Sequence, residues 1–166
     1  MGKVQAIFGN GYAGAVSRSI DDIIISVKNA GNTDIAFGAP VFLTSDGAVG
    51  FDTTNPQDFS TFLGFAVRVA DKTPDSYPEG QFGDAPAGAW HAGDVMEVLV
   101  RGSLAAKLAA SGDPGDGIYI RKSDGRLTPV AGSSGSTVQL TNVHIRRPRD
   151  SYGMIAELTV SERNIL

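Results

Sequence analysis

Apolar and polar positions along this chain change their spacing every few residues, and glycine with aspartate or asparagine marks most of the changes. The punctuation comes as Asn29-Ala30-Gly31-Asn32, Ser45-Asp46-Gly47, Gly93-Asp94-Val95, Asp113-Pro114-Gly115-Asp116-Gly117 and Ser123-Asp124-Gly125. Each lies beside alternating or β-branched apolar residues, as short strands joined by tight turns do. The clearest strand runs from Asp22 to Lys28, where three consecutive isoleucines give way to an alternation toward the first turn. Further strands are predicted over 39–43, with Pro40 at the start or on an edge, over 48–51 and over 59–70. In the last of these Phe65, Val67 and Val69 share a period of two that Phe62 breaks, which predicts a bulge near Leu63-Gly64.

A clean strand follows at 95–101, and the pattern resumes at 117–121, 127–130, 138–146 and 154–160. Between them Gly102 to Gly112 reads as a two-turn helix, with Ser103 as N-cap, Leu104 and Leu108 on one face and Gly112 as the stop. The fold class is therefore all-β: a compact β-barrel or sandwich with one short helix and an extended N-terminal arm. Residues 1–20 form the arm or an irregular first strand. Val4 to Phe8 are apolar there, and the glycines that follow deny the segment helix propensity. Its cover is the protein's own sheet, a twin subunit or a scaffold protein. Residues 21–166 form a single β domain, since Gly132-Ser133-Ser134-Gly135-Ser136 is too short for a linker.

Residues 71–93 break the rhythm with Pro74, Pro78 and Pro86 around Tyr77, Phe82 and Trp90. Connections beyond about 12–15 residues are uncommon in compact domains and often functional. The segment is either a contact surface or a loop folded back over its own sheet.

At 166 residues the chain can bury a core without metal or disulfide help. Cysteine is absent, which excludes disulfides and every thiolate site. Fourteen basic against eighteen acidic residues leave a formal charge of -4, with no general attraction for nucleic acid or anionic lipid. No secretory signal is visible at the start, and no run approaches the roughly 20 apolar residues of a membrane span. Glycine is the outlying residue, 21 in number, and implies many turns or backbone held by neighbours.

Chemistry-bearing patterns are sparse. Gly9, Gly11 and Gly14 spell G-x-G-x-x-G, yet a strand-like stretch follows where a dinucleotide fold requires a helix. His91 and His144 are the only histidines and lack metal-ligand spacing. Asp113, Asp116 and Asp124 sit in turns where aspartate ordinarily bonds nearby backbone amides, and the calcium-loop spacing is missing. Neither a nucleophile elbow nor a carboxylate dyad is visible, so no enzyme, cofactor or metal is expected. Trp90, Tyr77 and Tyr152 leave a carbohydrate-binding module open as an alternative. Arg146, Arg147 and Arg149, closed by Asp150, read as an ion-pair site toward a partner or as a solvated turn, arginine offering carboxylates a fixed fork.

The chain as a whole resembles the small structural cement, or decoration, proteins of tailed bacteriophage heads. The resemblance rests on the glycine-bearing apolar arm at 4–14, Gly38-Ala39-Pro40-Val41, Phe62-Leu63-Gly64-Phe65-Ala66-Val67, the Pro114-Gly115-Asp116 turn, and the stretch from Gly93 to Gly102. It implies a virion protein on the outer capsid surface that binds the major capsid protein, assembles commonly as a homotrimer, and stabilises the shell without an active site. Ile7 and Phe8 are then expected in arm docking. Tyr77, Phe82 and Trp90 serve as loop contacts, and Arg146, Arg147 and Arg149 as polar matching. A tail or baseplate module is the rival within the virion.

Overall fold

The computed structural model describes residues 10–54, 58–69, 88–151 and 154–164. Eleven strands lie among them: β1 (Val16–Lys28), β2 (Ile35–Ala36), β3 (Pro40–Thr44), β4 (Gly47–Gly50), β5 (Phe62–Ala66), β6 (Ala89–Trp90), β7 (Val95–Lys107), β8 (Gly117–Arg121), β9 (Leu127–Thr128), β10 (Thr137–Arg147) and β11 (Ile155–Val160). Nine form one sheet in the order β4-β3-β5-β7-β11-β10-β8-β9, with β1 added on β7, while β2 and β6 make a two-stranded ribbon. The fold is all-β, and its main sheet curls into a half-barrel. The curl brings β9 back to the end of β7, where Leu108 bridges Leu127 and the Ala109 N–H donates to the Leu127 carbonyl at 2.8 Å.

β7 is paired on both edges for most of its length. Leu99 lies between Ile24 and Phe65, and Leu104 between Val16 and Leu158. The helix expected over 102–112 is therefore corrected: β7 continues through Lys107, and no helix of seven or more residues occurs among the described residues. Leu104, Ala106 and Leu108 alternate into one core cluster, and the Ser103 hydroxyl bonds Thr159 rather than capping a helix. Gly14 N–H donates to the Ala105 carbonyl and Ala105 N–H to Ala15, so the backbone is held from outside the segment. Small residues with good helix propensity yield to pairing on both sides, because tertiary context outweighs a few tenths of a kcal/mol per residue.

β1 begins at Val16 and runs through the expected arm boundary, with register shifts between Val16 and Ile24. Residues 16–20 form the irregular start of this strand, paired to β7 at Val16 and Arg18; Val4 to Phe8 lie outside the described residues. The bulge in β5 is present: Val41 pairs Gly64 and Phe42 pairs Phe62, which leaves Leu63 as the extra residue.

Two apolar clusters occupy opposite faces of the β3-β5-β7 region. Phe42, Phe62, Phe65 and Leu99 join Ile118, Leu140 and Leu158 inside the curl, while Val41, Leu63, Met96 and Val98 join Ile35, Phe37 and Trp90 outside it. Every residue of β5 is buried for this reason. Buried Asn29 ties the end of β1 to the outer cluster: its Nδ2 donates to the carbonyls of Thr33, Trp90 and His91, and its Oδ1 accepts from Gly31 N–H.

Gly64 marks the tightest approach, since a Cβ there would overlap the Leu99 carbonyl oxygen in β7. Gly64→Ala is expected to lower stability by about 3 kcal/mol or to prevent folding, measured by urea denaturation. A loss under about 1 kcal/mol would show that β5 and β7 can move apart at little cost.

Candidate docking surfaces

Ile7, Phe8, Tyr77, Phe82 and Tyr152 lie outside the described residues. Trp90 is only 4% exposed and its indole N–H donates to the Val67 carbonyl at 2.9 Å. Its ring meets Phe37 edge-on at 6.2 Å, and its backbone pairs Ile35 across the β2–β6 ribbon. The expectation that Trp90 faces a partner is corrected accordingly: the residue folds back over its own sheet and fills the outer cluster. One of the three stacking faces of the carbohydrate reading goes with it.

The arginine cluster divides. Arg149 turns inward, its Nη1 donating to the carbonyls of Leu108 and Ala109 at 3.1 and 3.0 Å, and so clamps the chain just past β7. Arg146 and Arg147 at the end of β10 are exposed. Arg146 Nε lies 3.9 Å from Oε1 of Glu157, a buried carboxylate in β11 that also accepts from the Ser17 hydroxyl at 2.9 Å. Next to this strand end the Arg149-Asp150 turn is fastened to the start of the described chain. Asn10 N–H donates to Asp150 Oδ2, and Asn10 Nδ2 to the carbonyls of Pro148 and Ile155.

A third element escaped the sequence reading. Between Arg18, paired with Ser103, and Ile23, paired with Arg101, β1 holds four residues where β7 holds one. The excess is expelled as a bulge with Ile20 fully exposed. Asp21 Oδ2 accepts from Arg101 Nη2 at 2.6 Å, and Asp22 turns under the bulge, its Oδ1 accepting from Ser103 N–H at 3.3 Å while its buried Oδ2 has no partner. Ile20, Asp22, Arg101, Arg146 and Ser161 line a cleft of about 240 Å³, so the bulge and the arginine strand end form one surface. The signal available in the sequence was Asp21-Asp22, a charged pair dividing Ile20 from the isoleucine run that begins at Ile23.

The other polar candidates have local duties. Asp116 Oδ2 accepts from Asp113 N–H at 2.8 Å and Asp124 Oδ1 from Arg126 N–H at 3.2 Å, the turn-closing job read from the sequence. The hydrogen bond from Arg121 holds the Asp124 carboxyl below its ordinary pKa. His91 pairs with Asp34 at 2.9 Å on the surface, and His144 lies 3.4 Å from the Ser161 hydroxyl. Among the described residues no group of three His, Asp or Glu could hold a metal. Gly14 enters strand β1 rather than a helix, so the glycine spacing makes no phosphate cradle.

What is built is a set of surfaces on a rigid β scaffold. The model of a protein family described as structural cement protein (E217 gp24/Pam3 gp6) matches residues 2–161. This chain belongs to that family of phage cement proteins. It is a structural virion protein that stabilises the capsid. Among solved structures, a chain from the capsid of Myoviridae phage XM1 shares the fold, with a TM-score of 0.71 at 15% identity over 97% of this chain and 96% of that one. No curated protein matches.

In this cement protein the surroundings of Asp22 disfavour its charged form. Burial pushes its carboxyl above the ordinary range, the Asp21 charge adds to the rise, and the bond from Ser103 opposes it. A carboxyl raised on folding holds its proton more tightly in the folded state, so its ionisation weakens the fold as pH rises from the unfolded toward the folded pKa. Asp22→Asn does not ionise. Its stability relative to the unmodified protein is expected to improve between about pH 3 and about pH 7, compared by urea midpoints at the two values. An unchanged difference would place the strain elsewhere.

Proposed function

We propose that this cement protein sits on the outer face of the shell as a homotrimer and binds major capsid subunits across their junctions. The bulge of β1 and the end of β10 provide the contact. The observation that carries this is Ile20, an isoleucine fully exposed at the tip of a bulge and flanked by outward-facing Arg146. A large apolar side chain held away from its own core suits an anchor that a partner pocket desolvates, with arginines around it to pair carboxylates. Ile7 and Phe8 add an apolar arm, Tyr77 and Phe82 belong to the long connection, and Arg147 extends the polar rim. Modest contacts gain strength when three linked copies engage a repeating lattice.

The test is co-sedimentation of purified protein with shells that lack it, alongside its mass by light scattering. The protein is expected to run as a trimer and bind saturably. Ile20→Asp and the Arg146→Glu/Arg147→Glu pair are each expected to weaken binding about tenfold or more, and Ile7→Ser/Phe8→Ser to weaken it further. A monomer that ignores the shells would overturn the proposal.

A further inference from the structure

The curl of the sheet closes through a seam that the described residues do not fill. Beyond the bridge between Leu108 and Leu127, two depressions of about 320 and 160 Å³ adjoin, and both are lined by Lys107 at the end of β7 and Arg126 before β9. Their lining mixes polar and apolar surface: Leu108, Phe37 and Pro40 lie buried beneath it, and Met154 is the exposed apolar side chain of the four. Arg149 places a third cation against the same stretch through its bonds to the Leu108 and Ala109 carbonyls.

The charge balance here runs opposite to that of the chain. Lys107 is exposed and makes no ion pair among the described residues. Arg126 has a side chain 71% exposed, and its acidic neighbour Asp124, 3.6 Å away, is already engaged by Arg121. Met154 adds an independent sign. It is 39% exposed at the groove and adopts φ +57°, a conformation unfavourable for a side-chain-bearing residue unless something holds it there. Methionine is also the apolar side chain that adapts best to a varied partner.

We infer that this seam is a second docking groove, for an extended acidic segment of the shell protein in which a carboxylate side chain lies between apolar ones. The carboxylate reaches Lys107 and Arg126, and the apolar side chains take the two depressions on either side. A nucleic acid strand fits less well, because two exposed cations in a chain of charge -4 give a phosphate backbone little general attraction. The inference rests on the cement reading and extends it to a surface separate from the β1 bulge.

The experiment compares shell co-sedimentation of the unmodified protein, Lys107→Glu/Arg126→Glu, and the control Lys28→Glu/Lys122→Glu, which alters exposed residues elsewhere by the same charge. The groove variant is expected to bind about tenfold more weakly than the control, with the gap narrowing as salt is raised. Equal binding by the two variants, while the unmodified protein binds, overturns the groove and leaves the cement reading standing. An unmodified protein that fails to bind overturns both. Met154→Gly separates docking from folding. Glycine accepts the positive φ, so the unfolding midpoint is expected to hold or rise while shell binding falls. Unchanged binding removes the apolar half of the inference.

Discussion

The double-sided pairing of β7 is the constraint on which the other elements depend. With neighbours on both edges at Leu99 and again at Leu104, the strand cannot shift by one residue without turning the apolar sets on both of its faces the wrong way round. That register fixes β5 through the Gly64 contact, fixes β11 and hence β10, and determines where the surplus residues of β1 must emerge. The exposed surfaces are thus by-products of a rigid interior. A bulge cannot relax when both the strand that carries it and the strand beneath are locked.

Much of this was legible from residue spacing. The alternation from Ile24 to Lys28 became the regular part of β1, the out-of-phase Phe62 marked a true bulge, and the turn aspartates do what aspartates in turns do. Two readings failed for one shared reason. Leu104 and Leu108 satisfy a helical spacing of four and a strand spacing of two equally well, and the alanines between them settle nothing locally. Only β11 on one edge and the Gly14–Val16 backbone on the other decide the matter, and both are distant in sequence. Trp90 likewise sits among glycines and a histidine that suggest a surface loop, while its cover comes from Phe37 and Val67. Ile20 was hidden by the opposite effect, being a lone apolar residue between Ser19 and Asp21 whose exposure only the β1 bulge decides.

Electrostatics sort the arginines in a way that sequence adjacency conceals. Arg146, Arg147 and Arg149 stand within four positions, but one side chain is spent on backbone carbonyls and two face solvent. The buried Glu157 explains part of the arrangement, since a carboxylate only 5% exposed is costly to bury without a donor such as Ser17 and a nearby cation. Asp22 lacks such compensation on one oxygen, which is why its ionisation opposes folding.

The clasp of Asn10 on Pro148, Asp150 and Ile155 joins residues some 140 positions apart. The first strand has no complete lodging until β7 and β11, both far along the chain, have been made. Chains dominated by such distant pairings fold slowly and expose unpaired strand edges meanwhile. Until β11 docks, the edge of β7 from Gly102 to Lys107 stays open to other strands.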